Sequence, residues 1–191
     1  MKRAGILGGT FDPPHIGHLI MAEEARLNRN LDEVWWLPNA IPPHKAVPSE
    51  STVNDRLAMV RSVTETDPSF RLCDIEIKRP GRSYTVDTVE ELIHTYPDVQ
   101  FEFIMGGDSL SGFHQWHKAD QLSTLLPFTV LLRPGYALPE TLVPKELVIL
   151  DDVSLEVSST EIRERIRQGN NNRFLLYEKV YDYIKERGLY E

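Results

Sequence analysis

The stretch "AGILGGTFDPPHIGH", residues 4–18, decides how this chain reads. Its first six residues form an apolar run that closes on two glycines, which predicts a short buried strand. Two prolines interrupt the pattern. "GHLIMAEEARLNRN", residues 17–30, then predicts a helix with Leu19, Met21, Ala22, Ala25 and Leu27 roughly on one face. A glycine turn between a strand and a helix start lets backbone N–H groups approach an anion, and the helix dipole favours negative charge there. Gly8, Gly9 and Thr10 are therefore candidates for a phosphate cradle. The segment lacks G-x-x-x-x-G-K-[ST] and the third glycine of G-x-G-x-x-G, so it is neither a P-loop nor an ordinary dinucleotide fingerprint.

Two histidines sharpen the reading. His15 and His18 stand three apart at the helix start, so both side chains can face the same side of the first turn. Imidazolium, or neutral imidazole acting as a donor, stabilises charge that develops on a phosphoryl oxygen. Zinc ligation is the rival use, but it needs a third ligand and leaves the glycines without a role.

Further along, "EVWWLP" (33–38), "FRLCDIEI" (70–77), "VQFEFIM" (99–105), "FTVLLRP" (128–134) and "ELVILDD" (146–152) predict strands. In the second of these, Phe70, Leu72, Ile75 and Ile77 alternate. Helices are predicted over "NDRLAMVRSVTET" (54–66), "YTVDTVEELIHTY" (84–96), "SSTEIRERIRQG" (158–169) and "EKVYDYIKERG" (178–188), with Gly169 and Gly188 as stops. A proline-rich loop, "NAIPPHKAVPSES", covers residues 39–51. Alternating strands and helices imply right-handed crossovers. The expected fold is α/β: a Rossmann-like, doubly wound, mostly parallel sheet with helices on both faces and a helical C-terminal segment. Such sheets bind ligands at the carboxyl ends of their strands. Ser158, Ser159 and Thr160 open a helix where hydroxyls and free N–H groups can hold phosphate oxygens, and Arg163 adds a positive fork one turn on. The same residues also make an ordinary capping-box pattern, and the two uses are compatible.

Bulk composition limits the alternatives. The 191 residues and 41% hydrophobic content fit one domain, residues 1–191. A formal net charge of -8 argues against general nucleic-acid binding. The single cysteine, Cys73, permits no internal disulfide and no cysteine-based zinc site, as expected for a reducing cytoplasm. No segment reads as a signal peptide or a membrane span.

"GTFDPPHIGH" closely resembles the T/H-x-G-H signature of the nucleotidyltransferase α/β-phosphodiesterase superfamily, with His15-Ile16-Gly17-His18 as H-x-G-H. "SSTEIR", residues 158–163, resembles its second signature. "PNAIPPHK" (38–45), "RSYTVDT" (82–88) and "MGGDSLSGFHQWHKADQL" (105–122) resemble the bacterial nicotinate-nucleotide adenylyltransferase family, and the likeness runs over essentially the whole chain. The resemblance implies transfer of AMP from ATP, with Mg²⁺, to nicotinate mononucleotide, giving nicotinate adenine dinucleotide and pyrophosphate. It implies His15 and His18 as the catalytic pair. Gly8, Gly9, Thr10, Phe11, Lys45, Gly106, Asp108, Ser158, Ser159, Thr160 and Arg163 would serve ATP and its phosphates. Asn39, His44, Tyr84, Thr85 and Trp116 would serve the mononucleotide, with the Thr85 N–H on the nicotinate carboxylate and Trp116 stacked on the pyridine. No dedicated metal ligands are implied, and relatives of this kind often form dimers or larger assemblies. The chain departs from the pattern at His117, where Tyr is common, and at Gly107, where Ala is common. Rival readings are a phosphopantetheine adenylyltransferase, a nucleotide-binding regulator without turnover, and an NAD-dependent dehydrogenase.

Overall fold

The computed structural model describes residues 1–40, 50–79, 81–132, 143–151, 153 and 156–191. Six parallel strands form one sheet: β1 (Lys2–Gly9), β2 (Glu33–Pro38), β3 (Phe70–Leu72), β4 (Val99–Gly106), β5 (Phe128–Leu131) and β6 (Leu147–Leu150). Their order is β3-β2-β1-β4-β5-β6. The chain runs outward from β1 to β3, returns to lay β4 on the other side of β1, and runs outward again. The direction of winding reverses between β1 and β4, which leaves a crevice at their carboxyl ends.

Side chains alternate along the strands, and β1, β2, β4, β5 and β6 feed two cores, whereas Phe70 and Leu72 of β3 both face one of them. Ile6, Trp35 and Phe103 enter one; Leu7, Trp36 and Ile104 enter the other. The first core is covered by α4 (Thr85–Thr95) and α6 (Ala119–Leu125). The second is covered by α1 (Ile16–Asn28), α2 (Val53–Thr64), α7 (Ser159–Arg167) and α8 (Glu178–Arg187). Burial on both faces explains why these strands read as nearly continuous apolar runs. The exception is Glu102, buried in β4 and held by the Arg29 Nε–H at 2.7 Å and the Thr129 hydroxyl.

Two expectations need correction, and two helices went unread. The strand expected over 70–77 stops at Leu72. Cys73 donates to the Trp36 carbonyl at 2.8 Å, and the chain then turns into a short helix, α3 (Ile75–Lys78), closed by hydrogen bonds from Ile77 and Lys78 to the Asp74 carbonyl. The apolar alternation loses its phase between Leu72 and Ile75, which is where the strand ends and the helical turn begins. Leu27 does not join the buried face of α1; it is 54% exposed, and Ala22 and Ala25 carry that contact. Within residues 105–122 lie two helices with no apolar period long enough to announce them: α5 (Gly107–Ser111) and the start of α6. Among the described residues no helix is long and apolar enough to cross a membrane.

Gly5 sits where β1 is most tightly enclosed. A Cβ there would lie 2.4 Å from Ile104 Cδ1 and 2.8 Å from Leu31 Cδ1. Gly5→Ala is expected to destabilise the fold by about 1–3 kcal/mol, read as a lowered midpoint in urea unfolding. An unchanged midpoint would mean that the β1–β4 packing yields more easily than this spacing requires.

Candidate functional site

The carboxyl ends of β1 and β4 open into a cleft of about 660 Å³. Four helix starts border it: His15–His18 of α1, Thr85 of α4, Gly107–Asp108 of α5 and Ser158–Thr160 of α7. Helix starts carry unpaired N–H groups and a partial positive charge, so an acidic protein has here a surface suited to anions.

The turn after β1 is shaped by close approach. A Cβ on Gly8 would lie 3.0 Å from the Phe103 ring, and one on Gly9 3.0 Å from the Phe11 ring. Neither glycine takes the left-handed conformation; Phe11 does, at φ 52°. A phenylalanine holds that backbone only where its surroundings impose it. Its ring is buried beneath the turn, 5.0 Å from the His18 ring and 5.4 Å from Trp36.

His15 occupies the N-cap of α1 and is buried. His18 Nδ1 accepts a hydrogen bond from the His15 backbone N–H at 3.2 Å, the part that Glu or Gln plays in a capping box. In the neutral ring that bond leaves the proton on Nε2. The two imidazoles stack at 3.8 Å between centroids with a 34° tilt. Gly17 lets them do so: a Cβ there would meet Val157 Cγ1 at 2.8 Å and the His15 ring at 3.0 Å. The H-x-G-H spacing was the signal for Gly17, although sequence reasoning assigned it no place in the site.

The second motif closes onto the first. Ser158 caps α7 by accepting from the Glu161 N–H at 3.1 Å. The Ser159 hydroxyl donates to the Pro13 carbonyl at 2.9 Å, joining residues 146 positions apart. Ser158, Ser159 and Thr160 line the cleft. Arg163 does not. Its guanidinium donates to the Asp12 carbonyl at 2.8 Å and to Glu50 Oε1 at 2.8 Å.

Gly8, Gly9, Thr10, Asn39, Thr85, Gly106, Asp108 and Trp116 all line the cleft as well. Trp116 is half-buried and backed by Phe103 and Phe113, with centroids at 5.8 Å and 5.5 Å. The side-chain oxygen of Asn39 is buried and has no hydrogen-bond partner among the described residues, so it is an acceptor available to a bound molecule. Tyr84 lies outside the lining, its ring 4.3 Å from that of His117. His44 and Lys45 fall outside the described residues. Among those described, no group of three or more His, Cys, Asp or Glu is placed to cage a metal ion.

Ser83 and Glu76 are among the cleft residues that escaped the sequence analysis. Glu76 fell within the strand expected over 70–77. The turn into α3 instead buries it, accepting from the Thr88 hydroxyl at 2.8 Å. Burial pushes its carboxyl above the usual range, against the Thr88 hydrogen bond and the nearby Arg79 charge. A carboxyl raised on folding contributes stability below its unfolded pKa and loses it as pH rises through the folded one. Glu76→Gln is therefore expected to raise Tm relative to the parent at pH 8. The advantage should shrink as pH falls toward 5, and a constant difference across that range would refute it.

Comparison with known proteins bears on this geometry directly. A family model described as cytidylyltransferase-like matches residues 6–165. A protein of Oceanobacillus iheyensis named "Probable nicotinate-nucleotide adenylyltransferase" is 43% identical over 190 residues, covering 100% of this chain and 97% of the relative. A Bacillus cereus (strain B4264) protein of the same name is 44% identical over 191 residues, covering 100% of both. Among solved structures, a Plasmodium falciparum nicotinic acid mononucleotide adenylyltransferase complexed with NaAD superposes with a TM-score of 0.82 at 20% identity, covering 100% of this chain and 98% of that one. At that identity the likeness speaks for the fold. A switch-point cleft ringed by helix starts defines a nucleotide-binding α/β protein. The chain belongs to the cytidylyltransferase-like family and, within it, to the nicotinate-nucleotide adenylyltransferases.

Proposed function

We propose that this protein transfers AMP from ATP to nicotinate mononucleotide, giving nicotinate adenine dinucleotide and pyrophosphate, a step of NAD biosynthesis. The observation that carries the reading is the meeting of two distant motifs. The histidines of α1 and the hydroxyls of α7 line one cleft, and Ser159 is bonded to the turn that bears His15. Full-length identity to the nicotinate-nucleotide adenylyltransferases supports the choice of substrates.

The nucleophile is the mononucleotide's 5′-phosphate, which is ionised at neutral pH. It attacks the α-phosphorus of ATP in line, and pyrophosphate leaves. No general base and no covalent enzyme intermediate are needed, so catalysis rests on positioning and charge stabilisation. Mg²⁺ would enter with ATP rather than on dedicated protein ligands, and would supply neutralisation of the phosphate charge. Gly8, Gly9 and Thr10 take the phosphates by backbone, with Ser158, Ser159 and Thr160 opposite. His18, kept as an Nε2–H donor by the bond at its other nitrogen, stabilises charge at the α-phosphate, with His15 stacked beside it. Phe11 and Arg163 act from beneath, by holding the turn. Asp108 takes a ribose hydroxyl of the adenosine, and Gly106 is a further contact on ATP. Trp116 stacks on the pyridinium. The α4 start at Thr85 reads the nicotinate carboxylate, and Asn39 offers its unpartnered oxygen to the same nucleotide. His44 and Lys45 belong to this reading as further contacts, on the mononucleotide and the ATP phosphates respectively. So does a cytoplasmic setting, supported by the single buried cysteine.

Pyrophosphate release with Mg²⁺-ATP should be strong with nicotinate mononucleotide and weak with nicotinamide mononucleotide or phosphopantetheine. Equal rates with the first two would overturn carboxylate reading at Thr85. His18→Ala should lower kcat by about 10²–10³-fold in a folded protein; near-normal turnover would sink its assigned role. Trp116→Ala should act mainly by raising KM for the mononucleotide, and an unchanged KM would make Trp116 a packing residue.

A further inference from the structure

Asp12 lies within the phosphate turn, between Phe11 and the two prolines, and is 4% exposed. Its carboxylate accepts three hydrogen bonds: from the Glu50 N–H at 2.9 Å, from the Ser51 hydroxyl, and from the Tyr190 hydroxyl at 2.7 Å. Its carbonyl accepts from Arg163. The donors come from three separate parts of the chain: the approach to α2, helix α7, and the segment after α8. Arg56, 1% exposed, adds a buried positive charge that acts on both Asp12 and Tyr190.

None of Asp12, Ser51, Arg56 or Tyr190 lines the cleft. Whatever they contribute to the reaction must pass through backbone position. Asp12 has Thr10 two residues before it and His15 three residues after it, and both of those do line the cleft. A buried carboxylate costs desolvation energy that an apolar side chain would avoid. Here that cost falls on a segment whose placement the proposed chemistry depends on.

We propose that the Tyr190–Asp12 hydrogen bond is a positioning device. By tethering Asp12 to the segment after α8, it fixes where Thr10 and His15 stand in the cleft, and so governs the rate of transfer rather than substrate affinity. The proposal rests on the adenylyltransferase reading above. Tyr190 is a positioning residue that acts through the turn. Removing its hydroxyl leaves Asp12 bonded to Ser51 and Glu50, so the carboxylate stays partnered and the fold is retained.

Tyr183 supplies the control. Its hydroxyl bonds Asp55 Oδ1 at 2.9 Å, a phenol–carboxylate pair between α8 and α2 that does not include the turn. Tyr190→Phe and Tyr183→Phe should lower Tm by similar small amounts. Only Tyr190→Phe should lower kcat, by about tenfold or more, with KM for ATP and for nicotinate mononucleotide within about twofold of the parent. Ser51→Ala, which removes another donor from the same carboxylate, should repeat the effect and stands in if Tyr190→Phe does not fold. A Tyr190→Phe protein with unchanged kcat, or with raised KM and unchanged kcat, overturns the proposal. Histidine-ring NMR of the substrate-free protein gives an arm that needs no turnover. Signals of His15 and His18 should shift in Tyr190→Phe and not in Tyr183→Phe, and unshifted signals would equally overturn it. A parent protein that releases no pyrophosphate would defeat the adenylyltransferase reading, while the NMR comparison would still decide the tether.

Discussion

A buried guanidinium holds the two lips of the cleft together. Arg56 donates to the Thr10 carbonyl at 2.8 Å, to the Asn39 carbonyl at 2.7 Å and to the Ala40 carbonyl at 3.0 Å. One lip is the turn after β1; the other is the exit from β2. Burial pulls the pKa of Arg56 down, and the neighbouring Asp12 and Tyr190 oppose that pull. Removing the guanidinium would leave three backbone carbonyls without their donor and take away a positive charge that acts on buried Asp12. The carbonyls, the carboxylate and the guanidinium therefore stand or fall together. The helix that supplies Arg56 is anchored in turn: Thr52 caps α2 by accepting from the Asp55 N–H at 3.1 Å.

Above this base no Lys or Arg lines the cleft among the described residues, and its positive potential there comes from helix starts. The chain carries a net charge of -8, and Arg163 is occupied beneath the turn. The Glu50 carboxyl is held below the usual range, first by Arg167 and also by Arg163, which keeps those cations bound to protein. Helix starts and backbone N–H groups remain for the anion. Their dipoles are fixed by the fold and need not reorganise as charge moves during reaction.

The sequence showed most of this where local pattern and tertiary role coincide. Strand β1, the histidine pair and the Ser158 cap are legible because strand ending, helix start and anion site share the same residues. Glu76 was hidden because its setting depends on where β3 stops, and that is fixed by the Cys73 hydrogen bond to a different strand. Arg56 and Asp12 were hidden for a related reason. Each looks like an ordinary surface residue of its own segment, and only the assembled layers bury it. The glycines were legible as a turn, but their close approach to Phe103 and Phe11 was not, because those rings meet them only in the assembled fold.

The bonds that complete the site span the chain: Ser159 to Pro13 across 146 positions, and Tyr190 to Asp12 across 178. Contacts of such long sequence separation close late, because loop-closure entropy must be met before they form. During synthesis the phosphate turn emerges well before α7 and the segment after α8. Until α7 and the segment after α8 have docked, β1 and α1 exist without the groups that hold His15 in place. Competence to bind nucleotide is thus tied to completion of folding, and a partly folded chain has no finished site with which to sequester ATP. Ligand that binds the finished cleft will in turn draw the folding equilibrium of the whole domain toward the native state.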